Sequence, residues 1–295
     1  MIPVVKSDSF HLVKKNMLSL WMTYKQNTMG MMGLIILIIF GILALFGPFM
    51  FEYTGKVEEL DKILLAPTWQ HPLGTDDMGK DVLAGVVNGA RVSMLVGVAA
   101  TFMSMVIGAV VGIFSGYYGR TIDVMLMRFT DVFLVIPWLP LMLVLAALLG
   151  PSLWTIIFVI GITSWAGTAR IIRSQTLSVK ERPYVERARA IGSGDLHIMS
   201  NHILPNVFPL IFANTVLVAA IAIISETTLS FLGMGDATHI SWGMMLHYAF
   251  ETGATTLGAW WWIIPPGLCV VLVVLSFTFV GYALDEVFNP RLRRR

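Results

Sequence analysis

Charge is scarce in this sequence: Asp, Glu, Lys and Arg make up 13% of its 295 residues, where a soluble domain carries about a quarter. With 56% hydrophobic residues and a mean hydropathy of +0.77, a water-soluble globular domain is excluded and a multi-span membrane protein is expected. Cysteine is nearly absent. Cys269 alone excludes an internal disulfide and any multi-cysteine metal site, and its apolar surroundings suit a buried, inert thiol. The net charge of +2 is too small, and the basic residues too clustered, for a nucleic-acid partner. No strand–Ser–helix elbow, catalytic carboxylate pair or His-Glu-x-x-His helix occurs, so neither an enzyme nor a catalytic residue is expected. A cleavable signal peptide is not expected either. The first long apolar run, from Met29 onward, outlasts a signal h-region and lacks a small-residue cleavage site.

What is present is six apolar stretches. The first span is residues 29–51, whose 23 residues reach about 35 Å, enough for a hydrocarbon core of about 30 Å. The next are 91–114 and 132–149, the latter continuing a helix begun at 122–130 and kinked by Pro137 and Pro140. Residues 152–169, 207–224 and 260–283 complete the set. Residues 91–283 form the core of five spans. Trp260, Trp261 and Trp262 are expected to form an interfacial aromatic belt. Between the spans lie a basic segment 1–28, with a surface helix expected over 10–25, a hydrophilic segment 52–90, a loop of mixed polarity 233–258, and a basic tail 284–295.

Orientation follows from lysine and arginine. With the N-terminus inside, only Lys56, Lys62, Lys80 and Arg91 of the twenty fall outside, which satisfies the positive-inside rule. Both termini and the central segment 174–201 are therefore expected in the cytoplasm. That central segment carries Lys180, Glu181, Arg182, Glu186, Arg187, Arg189 and Asp195. Each such charge costs about 2.5–3.5 kcal/mol at the centre of a membrane helix, so the segment must lie outside the bilayer. Pro183 suits a first helical position, Tyr184, Ala188 and Ile191 are spaced for one face, and Gly192 and Gly194 offer a stop, which predicts a helix over 183–192. Spacing alone fits a solvated loop and a docking helix for a partner equally well.

Other features invite chemistry less strongly. Residues 74–81 nearly match a phosphate-binding loop, but the final Ser/Thr is Asp81, and Asp76 and Asp77 would repel phosphates. His71, His239 and His247 share no metal-ligand spacing, so no metal is expected. Ser104, Gly108, Gly112 and Gly116 recur every four residues, as close helix packing requires. Glu226 is a carboxylate near membrane depth. It reads either as an interfacial group bonded by Thr227 or Thr228, or as part of a solute path.

Several of these residues together resemble the C-type permease subunit of dipeptide/oligopeptide/nickel-family ABC importers. Glu186-Arg187-Ala188, then Gly192, then His202-Ile203-Leu204-Pro205 follow the spacing of that family's cytoplasmic signature, with Arg187 in place of its first alanine. Gly74-Thr75-Asp76 with Gly79-Lys80-Asp81, Gly89-Ala90-Arg91-Val92-Ser93, Glu226 with Leu229-Ser230-Phe231-Leu232-Gly233, and Asn289-Pro290-Arg291-Leu292-Arg293 also look familial, from about Leu20 to the end.

The resemblance implies an all-α polytopic fold of six transmembrane helices, the type I ABC importer permease fold. It implies a heterodimeric pore with a second, homologous permease subunit, embedded in membrane lipid of a prokaryotic cell. Two cytoplasmic ATPase subunits would bind the ATP and Mg, and an extracytoplasmic solute-binding protein would deliver the solute. Tyr184, Glu186, Arg187, Ala188, Arg189, Gly192, Leu204 and Pro205 would then couple to the ATPases, with Ala188 supplying a close fit in their groove. Asp76, Asp77, Lys80 and Asp236 would face the binding protein. Peptide is the family's default solute, with nickel chelates and oligosaccharides as alternatives. A self-sufficient secondary transporter or channel, and a scaffold that moves no solute, are the rival classes; the lack of ion-relay pairs and of a visible inverted repeat weighs against the first.

Overall fold

Helix boundaries follow from the capping residues. Asn27 caps α1 (Thr28–Met50), its Oδ1 accepting from Gly30 N at 2.8 Å while its amide donates to Glu286 at 2.8 Å. Asp81 caps α2 (Val82–Tyr118), its Oδ1 accepting from Leu83 N at 2.7 Å and Ala84 N at 3.2 Å. The second span thus begins at Val82 and not at residue 91. The structure, a computed structural model, describes residues 18–51, 53 and 62–288. Lys6, Lys14, Lys15, Lys56, the stretch 54–61 and the ending 289–295 lie outside these described residues; of the expected surface helix 10–25, the described part, 18–25, is helical.

The expected third span is broken. α3 (Arg120–Val135) and α4 (Trp138–Leu149) meet at 89°. Pro137 forces the residue before it out of the helical region, and Ile136 is extended at φ −68°, ψ 129°. α5 (Leu153–Thr163) and α6 (Trp165–Lys180), jogged at Ser164, make one span running past residue 169 into the charged segment. α7 (Pro183–Ala190) follows. Then α8 (Asp195–Ile198), a π turn at Met199–Ile203, α9 (Leu204–Leu229) and a second π turn at Ser230–Met234 form one helical rod of 40 residues. The first π turn precedes Pro205, which has no N–H for an ordinary helical bond. The expected loop 233–258 contains α10 (Trp242–Glu251), capped by Ser241 and buried through Trp242, Met245 and Ala249. α11 (Trp260–Phe288) closes the chain. Five spans are straight enough to count singly, and the bent α3–α4 pair makes a sixth. Among the described residues there is no strand, only an isolated bridge between Thr75 and Asp81.

α2 is the hub, packing on α6, α9, α5 and α1. Its small-residue stripe meets α6: a Cβ on Gly112 would stand 2.7 Å from the Ala169 carbonyl oxygen, and one on Gly116 2.7 Å from Thr176 Cβ. One core lies at the α10 end, around Trp242, Trp262, Val82 and Phe40. Another lies at the α7 end, around Val185, Ile198, Ile203 and Ile172. The outer face of α1 exposes Ile35, Ile38, Ile42, Phe46 and Phe49, a continuous apolar surface suited to lipid. The tryptophan belt needs correction. Consecutive helical residues point about 100° apart, so only Trp260 faces out, while Trp261 donates to Thr75 O at 3.2 Å and Trp262 is in the core.

Candidate functional site

Two sites occupy opposite ends of the rod that contains α9. At one end stands α7. Pro183 is its first residue, and Gly192 ends it at φ +85°, with Ser193 N donating to Ala188 O at 3.0 Å. That is a Schellman closure, and glycine is the residue that adopts it without strain. The same closure moves Ile191 off the face expected of it. Val185 and Ala188 share the buried side, at 0% and 6% exposure, against Ile113, Ile198 and Ile203. Ala188 therefore fits closely against its own chain, which corrects the expectation that it fills a partner's groove.

The outward face carries Tyr184, Glu186, Arg187 and Arg189, with Gly192 exposed in the turn. Beside them stand Ile191 at 83% and Leu196 at 71% exposure. Sequence reasoning missed the last two as an apolar presented pair. The signal was available: both flank the Gly192–Gly194 stop, where a helix face can no longer shield them. Leu204 and Pro205 are exposed one turn further on, at the start of α9.

α7 is tied to the bundle by polar contacts. Tyr117, at the end of α2, donates to Asp195 Oδ1 at 2.6 Å, and the Arg189 guanidinium lies 5.8 Å from the centre of its ring. Nearby, Arg173 of α6 grips Asp123 of α3 with two bonds of 2.5 Å, and Ser115 donates to the same carboxylate. Three helices and α7 are thus cross-linked at one level.

At the other end lies a cavity of about 680 Å³. Asp76, Asp77 and Lys80 line it, together with Arg91, Tyr53 and Tyr248. The turn that resembled a phosphate loop is closed on itself: Asp76 Oδ1 accepts from Met78 N at 2.9 Å and Lys80 N at 2.8 Å. Burial pushes the Asp76 carboxyl up, against the pull of those two N–H groups, and burial likewise raises the Tyr53 phenol. Lys80 stands 5.3 Å from the Tyr53 ring centre, and Asp77 accepts from Thr252 at 3.1 Å.

Asp236 lies behind the wall formed by Thr238 and His239. It accepts from Thr238 N at 2.8 Å, from Thr238 Oγ1 at 2.6 Å and from Leu153 N at 3.2 Å, and pairs with His239 at 3.0 Å. Burial alone would raise its carboxyl, but these bonds win and hold it at about 2. The structure thus gathers Asp76, Asp77 and Lys80 around one cavity and gives Asp236 the task of shaping its rim.

Glu226 is 1% exposed and faces packed protein in this conformation. Its partners are not the expected threonines. Ser93 of α2 donates to Oε2 at 3.0 Å and Ser230 to Oε1 at 2.9 Å, while Thr227 is at 3.5 Å and Thr228 bonds the Ile224 carbonyl. Ser93 also accepts from Trp242 N at 3.3 Å, so the carboxylate joins α2, α9 and α10. Ser93 and Ser230 lie far apart in sequence, and no local spacing announces their meeting.

Comparison with known proteins agrees with this architecture. The profile of the family described as "Binding-protein-dependent transport system inner membrane component" matches residues 108–294, and that of the "N-terminal TM domain of oligopeptide transport permease C" matches residues 18–67. The dipeptide transport system permease protein DppC of Bacillus subtilis (strain 168) is 35% identical over 275 residues, 93% of this chain and 85% of that protein. The oligopeptide transport system permease protein OppC of the same organism is 33% identical over 287 residues, 96% of this chain and 93% of that protein. A putative peptide permease protein of Brucella suis biovar 1 is 35% identical over 271 residues, covering 91% and 89%.

Proposed function

The chain belongs to the family of binding-protein-dependent transport system inner membrane components, and from that premise we propose that it forms half of the pore of an ATP-driven importer of di- or oligopeptides. Membership makes it a transport component with the type I permease fold, resident in a prokaryotic inner membrane and working with permease, ATPase and binding-protein partners. In the proposed assembly the other half of the pore is a second, homologous permease. Both termini and α7 face the cytoplasm, and α7 rests on one of two ATPase subunits that bind ATP and Mg.

The observation that carries the coupling is the division of α7 into two sides. Val185 and Ala188 are locked into the bundle, while Tyr184, Arg187, Ile191 and Leu196 are presented outward with a mixed apolar and cationic surface. Such a helix transmits a push without being pulled off its own domain. Closure of the ATPases would shift α7, and the Tyr117–Asp195 contact and the 40-residue rod would carry the shift to the far end. There Asp76, Asp77, Lys80 and the rim shaped by Asp236 receive solute from the binding protein.

Purification of the native complex, with mass spectrometry of its proteins and bound small molecules, tests this. Expected are a second permease, two ATPase subunits and short peptides, with loss of the ATPases on I191D or R187E. A chain that purifies without ATPase, or that binds a solute of another class, overturns the corresponding part.

A further inference from the structure

Arg91 is a full positive charge on the third turn of a membrane helix, and its guanidinium lines the cavity at the end away from α7. Among the described residues it has neither a hydrogen bond nor an ion pair, and it is exposed. An ionisable residue within a span is costly and is retained for a task, with a partner it meets in function. The other charges of the cavity are mostly committed. Asp76 is spent on two backbone N–H groups, and Lys80 stands over Tyr53. Asp77 is half free: Oδ2 accepts from Thr252, and Oδ1 has no partner among the described residues. The cavity therefore offers one unengaged cation and one unengaged carboxylate oxygen, with the rings of Tyr53 and Tyr248 in the same wall. At about 680 Å³ it is of the size that encloses a small ligand.

We propose that this cavity receives the solute as a zwitterion, Arg91 taking the free α-carboxylate of a short peptide and Asp77 its α-ammonium. The guanidinium fork matches a carboxylate with two parallel hydrogen bonds, which an ammonium could not do, so the presence of arginine selects a planar anion. The two tyrosine rings supply apolar walls that accept varied side chains between the charged ends. The permease thereby checks both termini of the peptide after the binding protein has released it. This inference rests on the peptide reading of the function.

The test uses the full importer with its partner subunits and binding protein in proteoliposomes. The probes are dialanine, dialanine amide and N-acetyl-dialanine, each saturating the binding protein. Loss of one charge-assisted contact is worth about tenfold. R91Q is expected to lower the dialanine-to-amide uptake ratio about tenfold, with R91K retaining part of the preference. D77N is expected to lower the dialanine-to-acetyl ratio by a similar factor. If R91Q does not assemble, the D77N arm decides alone. Wild-type ratios in both variants, with ATP-dependent dialanine uptake intact, overturn the terminus assignment and leave the peptide importer standing. A wild-type complex that moves none of the three probes while moving another solute overturns both.

Discussion

The phenol of Tyr117 and the carboxylate of Asp195 meet at 2.6 Å, joining the end of α2 to the start of the rod that contains α9, with Arg189 of α7 over the same ring. Removing the hydroxyl cuts this tie without touching the outward face. In the proposed importer Y117F is expected to assemble normally yet to lose several-fold of the stimulation of ATP hydrolysis by loaded binding protein, the hydrogen bond being worth about 1 kcal/mol. Stimulation equal to wild type would show that the tie transmits nothing.

Substitutions on the two sides of α7 should separate cleanly. A188L overpacks a core that includes Ile198 and Ile203 and is expected to cost about 1–3 kcal/mol of stability, read as a lower melting temperature of the purified chain. I191D alters an exposed residue, so the melting temperature should hold while ATPase retention falls. The reverse pattern would mean that the faces have been assigned the wrong way round.

Gly112 lies where α2 and α6 touch backbone to backbone. G112V places a branched side chain against the Ala169 carbonyl and is expected to cost about 2 kcal/mol or more, seen as a fall in thermal midpoint and in folded yield. G41A, at a position with open space around it, serves as the control and should leave both unchanged.

Glu226 holds Ser93 and Ser230 together. E226A leaves those hydroxyls without their acceptor and opens a void, for a cost of about 2–4 kcal/mol. E226Q keeps the volume and one acceptor oxygen, and should recover at least half of that in a thermal melt. Equal loss in both variants would point to a role for the charge itself.

Asp236 gives a pH signature. Its carboxyl is held at about 2, below the ordinary 3.8. A lowered acid stabilises the fold above its ordinary value and loses that contribution as pH falls from about 4 towards about 2. The melting temperature of wild type should exceed that of D236N at pH 6, and the gap should close as the pH is lowered through that window. A gap independent of pH would show that the hydrogen bonds do not depend on the charge.

Much of this was legible in one dimension because the bilayer simplifies the code. Length and hydropathy mark the spans, and the four-residue period of Ser104, Gly108, Gly112 and Gly116 announced the contact with α6. Gly192 was readable as a helix stop for the same kind of local reason. The errors arose where a three-dimensional fact overrode a local one. Pro137 was expected to bend a span and instead separates two helices at 89°. Ala188 looked thin enough for a partner's groove, yet nothing in the spacing says which side of a short helix its own domain will claim. Trp261 and Trp262 share a type with Trp260 and an environment with Thr75 and Val273. Residues 242–251, polar at their edges, hid a helix whose buried side appears only beside Val86 and Phe40. The ring of serines around Glu226 joins positions more than a hundred residues apart, beyond any periodicity.

The helical stretch from Asp195 to Met234 spans about 60 Å at 1.5 Å per residue, twice the thickness of the oily layer it pierces. Such a mast has no elbow along its middle. Whatever tilts its foot must swing its head by an angle of the same size, and the wide turns at Met199–Ile203 and Ser230–Met234 are the two couplings where the angle is handed on.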